Sequence, residues 1–243
     1  MRQDERAPAK LNLELRVLGR RPDGSHEVET VIQAIDLCDR LSITPADESS
    51  LVIEGDLRVP GGEDNLVLRA AAEIGLKARF VLTKAIPPGA GLGGGSSDAA
   101  AVLRAAAGGR SDLASIAVRL GADVPFFLRG GRARASGRGE VLEALEVEPS
   151  WYALAWPGFE VATGAVYEAW DRVGGDGRNQ LLRAAATVEP RLAAFAEDLG
   201  EGWVMTGSGS AFFHEAGSEA EARRRIAGRR GWTAVAAPLP AWS

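Results

Sequence analysis

Residues 86–100 read IPPGAGLGGGSSDAA: two prolines and five glycines directly ahead of a run of alanines. The segment before it, KARFVLTKAIPPG (77–89), reads as a strand that ends at the prolines, and SSDAAAVLRAAAG (96–108) reads as a helix closed by Gly108 and Gly109. A glycine loop placed between strand and helix gathers free backbone N–H groups and the positive end of the helix dipole at one point. Glycine also lets the backbone approach an anion closely and adopt positive φ. The stretch therefore predicts a phosphate cradle built from Pro87, Gly89, Gly91, Leu92, Gly93, Gly94 and Gly95. Ser96 and Ser97 add hydroxyl donors or cap the helix. It is no Walker A loop, because the Lys-Ser/Thr ending is missing. Gly89, Gly91 and Gly94 can be forced onto a dinucleotide fingerprint. However, no early βαβ unit precedes them, and no strand-ending acid follows about 20 residues later.

Upstream, AKLNLELRVL (9–18) alternates, with Leu11, Leu13 and Leu15 on one face and Lys10, Asn12 and Glu14 on the other. That predicts a half-buried strand. Pro22-Asp23-Gly24 marks a turn, VETVIQAIDL the return strand, and DRLSITP and SSLVIEG two further short strands. EDNLVLRAAAEIG predicts a helix capped by Asp64 or Asn65. Downstream, SDLASIAVRLG is a helix capped by Ser111 or Asp112 and stopped at Gly121. Beyond a soft boundary at Glu146–Ser150 the texture changes. SWYALAWPG reads as a strand, ATGAVYEAWDRV and NQLLRAAATVEPRLAAFAEDL as helical, and GWVMTGSGSAFFHEA as a strand pair around a second glycine turn. SEAEARRRIAG is a charged helix and WTAVAAPL a last strand. The pattern predicts an α+β protein in two lobes, 1–146 and 147–243.

Of 243 residues, 46% are hydrophobic and 25% charged, ordinary for a globular chain with room for a core. A net charge of −5 argues against a nucleic-acid partner. Arg223–Arg225 and Arg229–Arg230 share their segment with Glu219 and Glu221, so they read as a solvated helix face. Cys38 is the only cysteine, which excludes an intrachain disulfide, and its apolar neighbours predict a small buried hydrophobe. The opening MRQDERAPAK lacks the apolar core of a signal peptide, and no apolar run approaches the roughly 20 residues of a membrane span. The expectation is a cytoplasmic protein without a membrane partner.

Three side chains carry candidate chemistry. Asp123 stands directly before Val-Pro-Phe-Phe-Leu, where partial desolvation suits a carboxylate that pairs with a cation, acts as a base, or caps a turn. Lys10 shares its strand face with Asn12; an isolated strand lysine is usually solvated, yet apolar neighbours leave its role open. His26 follows the turn as a surface residue or as a reader of a ligand, and His214 receives no role.

Together and in this order, these stretches resemble the GHMP kinases, the superfamily of galactokinase, homoserine kinase and mevalonate kinase. APAKLNLELRVLGRRPDGSHEVETVIQAIDL is similar to an N-terminal signature of the family and IPPGAGLGGGSSDAAAVL to its ATP loop. LGADVPFFLRG resembles its catalytic segment and MTGSGSAFF its third glycine motif. The resemblance implies an N-terminal lobe like ribosomal S5 domain 2 and a ferredoxin-like C-terminal lobe. It also implies ATP as phosphate donor, with Mg²⁺ through ligands that the motifs do not identify. Asp123 would be the base and Lys10 its support, while Asn65 and Lys84 would line the adenine site. The DG-x-H turn points to the branch that phosphorylates the 2-hydroxyl of a methylerythritol bearing cytidine diphosphate, on the non-mevalonate isoprenoid route. In that branch Asn12 would contact the methylerythritol, His26 the cytosine edge and Tyr167 its face, with Thr163 nearby. The family usually places an aromatic where this chain has Ser25. Loss of that ring would remove about 1–3 kcal/mol of stacking. The alternatives are a kinase for another small alcohol, homoserine- or mevalonate-like, and a nucleotide binder without catalysis. The resemblance leaves a monomer or a homodimer open.

Overall fold

The structure is a computed structural model and describes residues 2–57, 59–108 and 110–242. The first strand extends well beyond the predicted segment. Strand β1 (Gln3–Arg20) pairs antiparallel with β2 (His26–Pro45) from Gln3↔Ile43 to Arg20↔His26. The reading of two strands, VETVIQAIDL and DRLSITP, is corrected here, because β2 runs through both. A register shift between Pro8 and Ala9 absorbs the irregularity at Ile35–Cys38, so pairing resumes without a turn.

The half-buried expectation for β1 holds from Leu13 to Leu18, where buried and exposed residues alternate, but not before, since Ala7 to Leu13 are all buried. Ala9, Leu11 and Leu13 pack against Tyr152, Leu154 and Phe213 of the second lobe. Lys10 and Asn12, on the opposite face, are only 3% and 4% exposed. Alternation thus marked a polar face correctly, but that face looks into a site rather than into water.

The first sheet has the order β3 (Ser50–Glu54), β4 (Ala78–Thr83), β2, β5 (Arg132–Ser136), β6 (Val141–Leu145), with β1 on the other edge of β2. Helix α1 (Leu66–Glu73) is capped by Asn65, whose side chain accepts from Val67 N at 3.0 Å. Helix α2 (Gly94–Ala105) starts at Gly93, with φ of +74° and no side-chain cap. Ser96 and Ser97 therefore sit inside the first turn rather than capping it. The helix ends at Ala105, before the expected stop at Gly108. Gly109 lies outside the described residues. Asp112 occupies the N-cap position of α3 (Leu113–Leu120) but its carboxylate pairs with Arg110 rather than capping the helix, and Gly121 ends that helix. A short α4 (Val124–Arg129) follows Asp123. The sheet and these helices close over Phe80, Leu82, Leu103, Phe126 and Phe127. Burial of each such side chain contributes about 1.5–3 kcal/mol.

The second lobe runs β7 (Trp151–Trp156), α5 (Thr163–Val173), α6 (Leu182–Val188), α7 (Arg191–Leu199), β8 (Trp203–Met205), β9 (Phe212–Ala216), α8 (Glu219–Ile226) and β10 (Trp232–Ala236). Its antiparallel sheet has the order β10-β7-β9-β8, the ferredoxin-like arrangement that the resemblance implied. The stretch read as one helical run breaks between α6 and α7 because Pro190, the N-cap of α7, cannot donate a helical hydrogen bond. In α8, Arg223 and Arg225 pair with Glu219 and Glu221 at i,i+4, as a solvated face requires. The segment after β10 returns to the first lobe, where Leu239 N donates to Ala34 O and Trp242 N to Arg129 O, at 2.8 and 2.9 Å. Cys38 is half-buried rather than buried, and burial pushes its thiol above the ordinary range. Among the described residues no helix is long and apolar enough to cross a membrane.

Candidate active site

A cleft of about 580 Å³ opens between the lobes. The first lobe lines it with Lys10, Asn12, Asn65, Lys84, Asp123 and the glycine loop, and the second with Thr163, Tyr167, Gly207 and Ser208.

Backbone geometry explains the loop's composition. Gly89, Gly91 and Gly93 have φ of +56°, +76° and +74°. A Cβ on Gly91 would lie 2.2 Å from Thr206 O in the second lobe. The first N–H groups of α2, on Gly94, Gly95 and Ser96, have no intrahelical acceptor, and all three residues line the cleft. Pro87, Gly89, Gly91 and Gly93 line it too. Leu92 and Ser97 do not: Leu92 is buried in the lobe junction, and Ser97 is buried with its hydroxyl unpartnered.

Beneath the loop lies an ionic cluster. The Lys84 ammonium donates to Asp39 Oδ2 and, at 2.9 Å, to Asp98 Oδ2. Asp39 Oδ1 accepts from the backbone of Ala85 and Ile86 at 2.6 and 2.9 Å. The cluster therefore fastens the loop's entry to α2. A Cβ on Gly94 would lie 3.2 Å from Lys84 Nζ, so this lysine stands at the glycine-loop end of the cleft. Burial works against its charge, but Asp98 and Asp39 outweigh burial and hold its pKa above the ordinary value. Burial raises the Asp98 carboxyl to about 7 against the pull of Lys84, and its Oδ1 has no partner.

Lys10 is the hub. Its Nζ donates to Gly91 O at 2.6 Å and to Asn12 Oδ1, and lies 3.8 Å from Asp123 Oδ2. Burial lowers its pKa, and the Asp123 charge offsets this only in part. Asn12 also donates from Nδ2 to Thr30 Oγ1, and from its backbone N to Thr206 Oγ1, both at 2.9 Å. Asp123 holds the N-cap position of α4 but makes no capping bond, so its carboxylate is free for the cleft and about one third exposed. Asn65 lines the cleft and donates to Pro60 O at 2.8 Å, which fixes the rim ahead of α1.

On the second-lobe side of the cleft, Thr163 opens α5 and shares a 2.8 Å hydrogen bond with Ser208 of the second glycine turn. The Tyr167 phenol is pushed up to about 12 by burial, with a smaller contribution from the Asp123 charge. Its ring stacks on His26 with centroids 4.9 Å apart. His26 is not among the residues lining the cleft; its ring packs on that of Tyr167, which is. Ser25 turns to Asp23, its backbone N donating to Oδ1 at 3.0 Å, and supplies no ring.

Sequence reasoning missed several residues. Arg138, in the β5–β6 turn, lines the cleft and, among the described residues, is its one cation not engaged by a buried acidic or amide partner. A cation between two glycines in SGRGE was the available signal. Asn179 donates to Met205 O and Gly207 O at 2.6 and 2.9 Å and so shapes the second glycine turn. Nothing local in the sequence announced that role. Among the described residues no group of three or more His, Cys, Asp or Glu is placed to hold a metal ion.

Residues 65–131 match the family model "GHMP kinases N terminal domain". The chain is 38% identical to the 4-diphosphocytidyl-2-C-methyl-D-erythritol kinase of Citrifermentans bemidjiense, over 95% of this chain and 96% of that one. The chain belongs to the GHMP kinases, in the 4-diphosphocytidyl-2-C-methyl-D-erythritol kinase family. A solved structure of 4-(cytidine 5'-diphospho)-2C-methyl-D-erythritol kinase is 37% identical and superposes with a TM-score of 0.81, covering 98% of this kinase and 99% of that one. A homoserine kinase structure from Cytophaga hutchinsonii covers 99% of this kinase and 95% of that chain at 17% identity and a TM-score of 0.64, a likeness of fold alone.

Proposed function

We propose that this kinase transfers the γ-phosphate of ATP to the 2-hydroxyl of 4-diphosphocytidyl-2-C-methyl-D-erythritol. One observation carries the reading: Lys10 Nζ joins the phosphate loop at Gly91 O, 2.6 Å away, to the Asp123 carboxylate at 3.8 Å. Base, ammonium and phosphate cradle thus converge where an alcohol must meet a γ-phosphate. Phosphoryl transfer asks mainly for alignment and charge stabilisation. Asp123 accepts the hydroxyl proton as the new O–P bond forms and the bond to ADP breaks. The loop N–H groups and the α2 dipole hold the phosphates. Lys10, buried and short of countercharge, gains stability from the incoming phosphate. No carboxylate cluster among the described residues would hold Mg²⁺ by itself, so it would come with ATP and would supply charge neutralisation at the phosphates.

We assign Asn12 and Thr163, which line the cleft, to the methylerythritol, and Tyr167, with His26 packed on its ring, to the cytidine. Arg138 is placed for the substrate's diphosphate. The division at 146 and 147 falls in the link between β6 and β7. The enzyme acts in the cytoplasm on a small molecule, as a monomer or homodimer. A pure nucleotide binder has no use for a buried Lys10 facing the Asp123 carboxylate, and the homoserine kinase likeness is confined to fold. ADP release with Mg-ATP is the test, with the cytidyl substrate compared with homoserine and mevalonate. Turnover on the cytidyl substrate alone is expected. Turnover only on one of the others, or on none, overturns the reading.

A further inference from the structure

His26 is bound on one edge by a residue that no sequence motif marks. Its Nε2 lies 2.8 Å from Asp171 Oδ1, on α5. Asp171 Oδ2 is 3.6 Å from Arg20 Nη1, which keeps the carboxylate paired on its outer side. One face of the imidazole carries the Tyr167 ring at an interplanar angle of 29°, and the Trp170 indole stands edge-on at 86°. The His26 side chain is 7% exposed, so the ring is clamped in place. Its Nδ1 has no hydrogen-bond partner among the described residues and is not a sealed orphan atom.

A carboxylate can only accept. A neutral imidazole facing Asp171 through Nε2 must therefore carry its proton there and its lone pair on Nδ1. That leaves one acceptor at the edge of the ring stacked on Tyr167. Cytosine presents an amino donor at its 4-position, where uracil presents a carbonyl acceptor. We propose that Asp171 is a positioning residue that fixes the His26 tautomer, so that Nδ1 accepts from the cytosine amino group and uracil is rejected. The proposal rests on the reading of His26 as the cytosine reader. With Ser25 in place of a second ring, edge recognition then carries a larger share of base selection.

The chain has only two histidines, so ¹⁵N-histidine labelling resolves His26 without ligand or turnover. In the free enzyme above pH 8 we expect the Nε2–H form, and in Asp171→Ala a mixture of tautomers. Kinetically, Asp171→Ala should raise KM for the cytidyl substrate about tenfold, the worth of one hydrogen bond of ~1.4 kcal/mol. Both kcat and KM for ATP should stay within about threefold, and preference over the uridine analogue should fall by a similar factor. Asp171→Glu should recover part of the loss, and Asp171→Ala should add nothing in a His26→Ala background. An unchanged tautomer in Asp171→Ala overturns the positioning role whatever the substrate. A changed tautomer with unchanged base preference overturns the selection role. A parent enzyme inactive on the cytidyl substrate instead overturns the functional reading and leaves the tautomer result standing.

Discussion

With its carboxylate 3.8 Å from the Lys10 ammonium and no capping duty, Asp123 can take a proton without disturbing α4. Asp123→Asn removes the base while keeping size and shape. We expect kcat to fall by roughly 10² to 10⁴, the usual worth of general-base help. ATP affinity, read by calorimetry, should stay within a few-fold, because the loop N–H groups that hold the phosphates are untouched. A variant losing less than about tenfold in kcat would move the base elsewhere. Asp123 was legible in the sequence as a carboxylate beside apolar residues. The absence of a capping bond, which frees it, was not legible, since Asp before Val-Pro equally suits a turn. Lys10 shows the opposite limit: strand alternation placed it on a polar face, but only three-dimensional packing reveals that the face is buried.

At the scale of elements, α2 is moored by a carboxylate with an unusual titration. The Asp98 carboxyl is raised to about 7, first by burial, against an ordinary value of 3.8. Between those values the folded protein keeps a proton that the unfolded chain has released. The contribution of this group to stability therefore falls as pH rises from 3.8 to about 7, then levels off. Asp98→Asn cannot titrate. Relative to the parent, its melting temperature should shift upward between pH 5 and pH 8, on top of a constant offset from the weakened Lys84 contact. A gap that does not change with pH would show that Asp98 does not titrate in this window. Elements of this kind were largely readable: the strand–loop–helix order around 86–100 followed from glycine, proline and alanine spacing. The fusion of two predicted strands into β2 was not, because an irregularity within a strand looks like a break when its partner is unseen.

Across the whole molecule, the two lobes meet where Gly91 presses on the second glycine turn. Gly91→Ala would place a Cβ 2.2 Å from Thr206 O, in addition to the strain of φ +76°. Gly158→Ala is the matched control, with φ +85° and nothing within 4 Å. Left-handed strain alone costs ~1–2 kcal/mol, a melting shift of roughly 2–8 °C for a chain of this size. We expect Gly158→Ala to show that shift with near-normal turnover. Gly91→Ala should melt lower still and lose most of its kcat/KM. Equal effects of the two would mean that the lobe contact carries no strain. Only the glycine count hinted at this junction, because the pairing of residue 91 with residue 206 joins distant parts of the chain.

Lys10 Nζ is bonded at once to Gly91 O, in the loop proposed to cradle the donor, and to Asn12 Oδ1, proposed to face the acceptor. One ammonium thus belongs to both half-sites, and a shift in either is felt by the other. Cooperativity between two ligands is reciprocal by thermodynamic necessity. Whatever factor ATP contributes to the grip on the alcohol, the alcohol must contribute to the grip on ATP. The enzyme's affinity for each substrate is therefore a property of the pair.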